Sequence, residues 1–349
     1  MKFKIGKTYV GDNLPCFIVA ELSGNHNGDF NRARRMLIKA KEAGVNAVKL
    51  QTYKPETITL NSKRKDFIIG SKSPWKVKKN FWSLYKNAFT PWDWHQRLFL
   101  LAKKLKIEIF SSPFDESAVD LLEKLGCPAY KIASAEINHI PLLEKVAKTK
   151  KPVILSKGLA TKNDINLALK TLKKNGCKKI IILQCVSSYP SLLKDQNLRL
   201  IPMIKKKYQV LSGLSDHTLG SIAALTSVAL GGSVLEKHFN LNDNTKTVDS
   251  FFSLNNNDFK KMVDGIRDVE SSLGKSVFKL DKSSMENFYS RRSIYVSEKI
   301  LKNELITTKN VKIVRPGYGL EPKYLKKILG KRSKKNLKPG TRFKLSYCK

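Results

Sequence analysis

The sequence predicts an α/β protein: a (β/α)8 barrel of the TIM type followed by a small β-rich domain. Three observations carry that expectation. Over the first three quarters of the 349 residues, short apolar runs alternate with longer stretches of helical period. The alternation completes eight strand–helix units, the number that closes a parallel barrel. No G-x-G-x-x-G turn follows the first strand, as an open nucleotide-binding sheet would show, and the pattern shortens to strands and turns beyond residue 290.

Strands are expected at 17–22, 47–53, 107–114, 129–134, 153–158, 179–188, 210–216 and 233–239. Helices are expected at 30–43, 92–105, 116–125, 141–149, 163–174, 198–206 and 222–230, with a final one at 258–273. Gly44, Gly126, Gly176 and Gly274 close four of them, as helix C-termini prefer. The connection from Lys54 to Pro91 is too long for a plain loop. It holds Trp75, Phe81, Trp82 and Tyr85, so it is expected to have structure of its own and is a candidate cover for the barrel mouth. Residues 1–275 are assigned to the barrel, 276–289 to a linker and 290–349 to the small domain. Its strands are expected at 292–296, 305–308, 312–314 and around Phe343. So short a domain is expected to dock on something.

Lys and Arg number 66 against 29 Asp and Glu, a net charge of +37. The excess is mostly Lys, scattered in short clusters such as Lys205 to Lys207, which reads as a solubilising surface rather than a nucleic-acid arm. No helix-turn-helix, zinc-finger or RNP-type signature accompanies it, so no nucleic-acid partner is expected. Hydrophobic residues make up 41%, enough for a packed core and too regular for disorder. The five cysteines include no C-x-x-C pair, which argues against a disulfide framework or zinc ribbon. With no apolar leader and no apolar run of about 20 residues, a cytoplasmic location and no membrane partner are expected.

A barrel keeps its reactive groups at the C-terminal ends of its strands. Here those ends are polar almost throughout. Glu21, Ser23, Asn25 and His26 follow the first strand, and Lys49 and Gln51 share one face of the second. Lys131, Ser134 and Glu136 lie on the fourth and Ser156 on the fifth. Gln184, Ser187 and Tyr189 follow on the sixth, Ser215, Asp216 and His217 on the seventh, and Glu236, Lys237 and His238 on the eighth. His217 and His238 end adjacent strands, which run about 4.8 Å apart, so the two imidazoles can converge on one ion. Asp216, Glu236 and Asp249 are candidates for further ligation or for support of the ligands. Such a set suits Mn2+, Zn2+ or Fe2+, and acid/base or structural histidines remain the alternative. His26, His95 and His139 are weaker candidates. Lys49, Lys131, Ser134, Ser156, Ser187 and Ser215 together suit a phosphate. Both lysines sit in apolar strands and need an anionic partner, a protein carboxylate or, the favoured reading, a ligand.

In this order the motifs resemble the sialic acid synthase family over nearly the whole chain. They are Ile18–Gly28 (IVAELSGNHNG), Val48–Tyr53 (VKLQTY), Phe110–Asp115 (FSSPFD), Tyr130–Ser134 (YKIAS), Gly213–Thr218 (GLSDHT) and Glu236–Phe239 (EKHF). The runs at Leu50–Tyr53, Thr90–His95 and Arg315–Leu320 resemble its pseudaminic branch. The resemblance implies that the small domain is an antifreeze-like (SAF) domain. It implies a domain-swapped homodimer in which that domain caps the partner's active site. The implied reaction condenses phosphoenolpyruvate with a 2,4-diacetamido-2,4,6-trideoxy hexose, giving a nine-carbon 2-keto acid and phosphate by C–O cleavage. A different acetamido sugar, giving N-acetylneuraminate or legionaminate, is the alternative within the family.

Site residues carry over position by position. His217 and His238 match divalent-metal ligands, with Mn2+ the first candidate and Mg2+ and Co2+ the others. Lys49, Lys131, Ser134, Ser187 and Ser215 match phosphoenolpyruvate-binding positions, and Ser156 is grouped with them. Glu21, Gln51, Tyr189, Glu236 and Asp249 match positions near the sugar or the metal's water. Glu136 matches an acid/base candidate, a role Glu21 could share. Arg315 matches an arginine that reaches across the dimer to an acetamido group. Two positions depart from the family: Lys157 stands where Thr is usual, and Gln184 where a basic residue or His is frequent.

Overall fold

The computed structural model describes residues 1–243 and 245–349 and divides into two compact units, Met1–Gly274 and Lys275–Lys349. The first opens with an antiparallel hairpin of β1 (Lys2–Ile5) and β2 (Thr8–Gly11), turned at Gly6 with φ 58°. Ile5 and Val10 are fully buried against Phe17, Val19 and Phe110, so the hairpin plugs the N-terminal end of the barrel. Two four-residue strands are too short for a period to show, and the sequence reading has no element there.

The barrel consists of β3 (Phe17–Glu21), β4 (Ala47–Thr52), β5 (Glu108–Pro113), β6 (Tyr130–Ile132), β7 (Val153–Ser156), β8 (Ile180–Cys185), β9 (Leu211–Asp216) and β10 (Val234–Asn240). Each pairs in parallel with the next, and β10 pairs with both β9 and β3, which closes the ring. Outside it run α1 (Phe30–Glu42), α2 (Pro55–Ile58), α3 (Phe81–Ala88), α4 (Trp92–Leu105), α5 (Glu116–Lys124), α6 (Ile140–Lys148), α7 (Lys162–Lys174), α8 (Leu200–Tyr208), α9 (Ile222–Ala229) and α10 (Asn256–Leu273). A two-residue β11 (Leu254–Asn255) adds to β10. One apolar layer fills the lumen with Phe17, Val19, Ile154, Ile181 and Leu211. Another joins the strands to the helices through Ile18, Leu50, Leu214, Leu235 and Met262. Each such side chain contributes about 1.5–3 kcal/mol by leaving water.

The expected elements lie within a few residues of these. The fourth expected strand, 129–134, stops at Ile132, because a 3-10 turn over Ser134–Glu136 bends the chain across the mouth. The 54–91 connection contains α2, α3 and 3-10 turns at Lys65–Phe67 and Lys76–Lys78. It reaches the far side of the mouth: the Trp75 indole donates to the Val248 carbonyl at 3.1 Å and to Asp249 Oδ1 at 3.2 Å.

In the second unit, α11 (Lys282–Glu286) and a turn at Phe288–Ser290 occupy the stretch expected to be a linker. β12 (Ser293–Val296) and β13 (Val311–Val314) form an antiparallel pair, and α12 (Leu325–Ile328) was not foreseen. The strand expected at 305–308 reduces to a single bridge between Leu305 and Arg332, with Leu305 exposed. Phe343 pairs through its backbone with Ile294 and Leu320, and its ring is buried with Ile294, Ile300 and Ile328 in a core of this unit's own.

Candidate active site

Strand register decides which side chains enter the lumen. Glu21 pairs with Lys49, Glu236 with Ser215, Cys185 also with Ser215, and His238 with Glu21. Period-two alternation therefore turns Glu21, Lys49, Lys131, Ser156, Cys185, Ser215, Glu236 and His238 inward at the strands' C-terminal ends. All eight are buried.

Lys49 Nζ lies 2.5 Å from Glu21 Oε2 and 3.5 Å from Glu236 Oε1, and donates to Ser112 Oγ at 3.1 Å. Gln51 Nε2 donates to the other Glu21 oxygen at 3.0 Å. Among the described residues Lys131 Nζ has only Glu236 Oε1, at 3.5 Å. For Lys49 the counter-charge is therefore the protein carboxylate, the other of the two readings. The chain's own carboxylates stand there, because a buried ammonium cannot remain unpaired. Burial works against Lys49's charge, but Glu21 and Glu236 outweigh it and hold its pKa above the usual lysine range. The same opposition runs through Glu236, whose pKa Lys131 and Lys49 hold low against burial. Lys131 ends below its ordinary value, through burial and the neighbouring Lys49, with Glu236 only partly compensating. Lys131 is thus the cation that an additional anion would satisfy.

Beside it, Ser134 and Ser187 share a 2.7 Å hydroxyl bond. Gly158 lies beneath them, where a Cβ would come within 2.3 Å of Ser187 Oγ and 2.6 Å of Ser134 Cβ. Ser156 Oγ is buried with no partner among the described residues. Ser215 Oγ is a loose 3.5 Å from Glu236. These hydroxyls ring a small cradle next to Lys131.

Across the lumen, the His217 and His238 rings lie 5.4 Å apart. Tyr189 packs 4.4 Å from His217, and Phe252 lies 4.6 Å from His238. His217 Nδ1 donates to the Val186 carbonyl at 2.9 Å, so in the neutral ring the lone pair lies on Nε2. Burial lowers the His217 pKa, but the Cys185 side chain bonded to it reverses the shift upward. His238 is held neutral by burial, by His217 and by Lys49, and its Nδ1 is buried without a hydrogen-bond partner among the described residues. A neutral, orphaned imidazole beside a second one fits a divalent cation. Among the described residues no group of three or more His, Cys, Asp or Glu completes a cage, so such a site keeps open positions.

Two carboxyl groups at the mouth have raised pKa values. Asp249 Oδ2 accepts from the Ser23 hydroxyl and stands 3.9 Å from His238 Nδ1. Burial and Glu21 push the Asp249 pKa to about 6 against the opposing bonds of Ser23 and Trp75. Burial raises Glu136 to about 7, with Lys131 opposing, and one of its oxygens is buried with no hydrogen-bond partner among the described residues.

Other expectations are corrected. Asp216 is no ligand candidate: it points to the outer face and pairs with Lys237 at 2.6 Å. Gln184 also faces outward, donating to the Gln196 carbonyl at 2.7 Å, so it makes no phosphate contact. His26 and His95 are buried away from the His217–His238 pair, bonded to Thr90 at 3.3 Å and Thr52 at 2.8 Å. Burial brings both to about 4. His139 caps α6 by accepting from Leu142 N. Arg315 is exposed on the second unit, beside β13. The sequence reading passed over Ser112 and Cys185 as site residues. Strand period could have found them, since Ser112 follows Phe110, and Cys185 follows Leu183, on lumen-facing positions.

Residues 36–278 match the NeuB family and residues 291–344 the SAF domain. A pseudaminic acid synthase of Helicobacter pylori is 45% identical over 94% of this chain and 96% of its own length. The Campylobacter jejuni (serotype O:2) pseudaminic acid synthase is 42% identical over 94% and 95%. The crystal structure of an N-acetylneuraminic acid synthetase from Leptospira borgpetersenii superposes with a TM-score of 0.73 at 32% identity, covering 82% of this chain and 95% of that one. The closed parallel barrel with its polar mouth and the C-terminal SAF domain thus make this chain an enzyme of the NeuB family.

Proposed function

We propose that the enzyme condenses phosphoenolpyruvate with a 2,4-diacetamido-2,4,6-trideoxy hexose to give pseudaminic acid and phosphate. The observation that carries the reading is the pairing of two sites across one barrel mouth: the Lys131 cradle and the His217–His238 pair. The similarity to pseudaminic acid synthases supports the choice of sugar, over the neuraminate or legionaminate alternative.

Lys131 and Lys49 bind the phosphate and carboxylate charges of phosphoenolpyruvate, and Ser134, Ser156, Ser187 and Ser215 orient them. Gln51, Tyr189, Glu21 and Asp249 face the space left for the sugar. His217 and His238 would hold a divalent cation, with Mn2+ the first candidate and Mg2+ or Co2+ the others, which when bound would supply Lewis acidity to the open-chain aldehyde. The C3 carbon of phosphoenolpyruvate attacks the aldehyde carbon, water adds at C2, and the C–O bond to phosphate breaks. Glu136 is poised to move a proton near neutral pH, since burial holds it at about 7. The reading includes a homodimer in which Arg315 of one subunit binds an acetamido group in the partner's mouth, and a place in the cytoplasm. No helix among the described residues is long and apolar enough to cross a membrane.

Turnover in oxygen-18 water tests the chemistry. The label is expected in the nine-carbon product; label in the phosphate contradicts C–O cleavage. In the same assay His238→Ala is expected to abolish metal-dependent turnover with the fold intact. Near-normal activity of that variant without added metal contradicts the cation assignment.

A further inference from the structure

His217 and His238 end neighbouring strands, but neighbouring strands alone do not fix two flexible rings. A polar lock sits one residue before each of them. Asp216 and Lys237 are register partners on β9 and β10, and alternation sends their side chains to the outer face, opposite the histidines. Lys237 Nζ meets Asp216 Oδ2 at 2.6 Å and donates to the Thr218 carbonyl at 2.7 Å, while Asp216 Oδ1 accepts from Thr218 N at 2.8 Å. The backbone on both sides of His217 is thereby tied to the residue preceding His238. From the other side, Ser191 N donates to the His217 carbonyl at 3.0 Å.

The surroundings are apolar. Along β10 the outward neighbours of Lys237 are Leu235 and Phe239, and along β9 the outward neighbour of Asp216 is Leu214, all fully buried. Both side chains of the pair are at most 1% exposed. Taking two charges out of water costs several kcal/mol per ion, and an apolar pair of similar volume would often be as stable or more so. Stability alone therefore does not account for an ion pair here.

We propose that the Asp216–Lys237 pair is a positioning device that sets the spacing of His217 and His238, and with it the affinity of the site for a divalent cation. This rests on the reading of those two histidines as the cation's ligands. Removing the lock lets residues 216–218 shift along the sheet, and the two rings no longer converge.

The test uses the full-length protein and Mn2+ titrated by calorimetry. Lys237→Met alone leaves a buried, unpaired carboxylate and is expected to lower the melting temperature. The double variant Asp216→Leu with Lys237→Met removes both charges and keeps the layer filled. It is expected to melt near the wild-type temperature and to bind Mn2+ about tenfold more weakly or worse, with the KM for phosphoenolpyruvate unchanged. Wild-type Mn2+ affinity in the folded double variant overturns the proposal. So does a double variant that no longer folds, because the pair then supports the barrel rather than the histidines. Wild-type protein that takes up neither Mn2+, Mg2+ nor Co2+ overturns the cation reading itself, and the proposal with it.

Discussion

Glu136 holds its proton near neutrality because burial penalises its charge more than Lys131 relieves it. Its ordinary value is 4.5 and its folded value about 7, so the folded protein binds the extra proton between those limits. The stability this gives is fully present below the unfolded value and is lost as pH rises through about 7. Glu136→Gln is expected to remove that loss. Denaturant midpoints of the variant, relative to wild type, should rise from pH 5 to pH 8; a constant difference contradicts the assignment. At this scale the sequence was informative where an inward position carries an unusual residue. Lys49 and Lys131 stand out in apolar strands, and both converge on Glu236. It was uninformative about partners: Asp216 looked as available as Asp249, and only the strand's two faces separate them.

Among the elements, the barrel strands and helices were legible because each buries one face or stripe and so repeats with its own period. The short pieces were not. The β1–β2 hairpin, α2 and α12 owe their conformation to tertiary contacts rather than to a repeating pattern, whereas β12 and β13 lie where short strands were expected. The 54–91 connection was legible only as aromatic and too long. Its Trp75 is the tie that matters, joining the loop after β4 to Asp249 beyond β10 and packing 5.2 Å from Tyr189. Trp75→Ala is expected to raise the KM for the sugar about tenfold or more, a loss of one buried aromatic and its bonds. It should also open the lysine-rich segment 63–79 to trypsin while leaving the KM for phosphoenolpyruvate unchanged. Unaltered sugar kinetics and unaltered cleavage would remove Trp75 from the roof of the site.

For the whole molecule, the net charge of +37 reads from the sequence as a solubilising surface. The structure redistributes that meaning: most lysines lie on the surface, while Lys49 and Lys131 are buried at the mouth. The family was legible because the mouth draws on every part of the barrel, so its motifs recur in a fixed order along the chain. The choice of sugar was less so, since it depends on a few positions such as Gln51 and Tyr189 and on the proposed contribution of Arg315 from a partner subunit. Phosphate release from phosphoenolpyruvate with Mn2+ present, measured with acetamido sugars side by side, decides whether the enzyme makes pseudaminic acid. Efficient release is expected with a 2,4-diacetamido-2,4,6-trideoxy hexose of the pseudaminic series and little with N-acetylmannosamine or the legionaminate precursor. Preferential turnover of either of the latter, or release that needs no sugar, would contradict the proposed reaction.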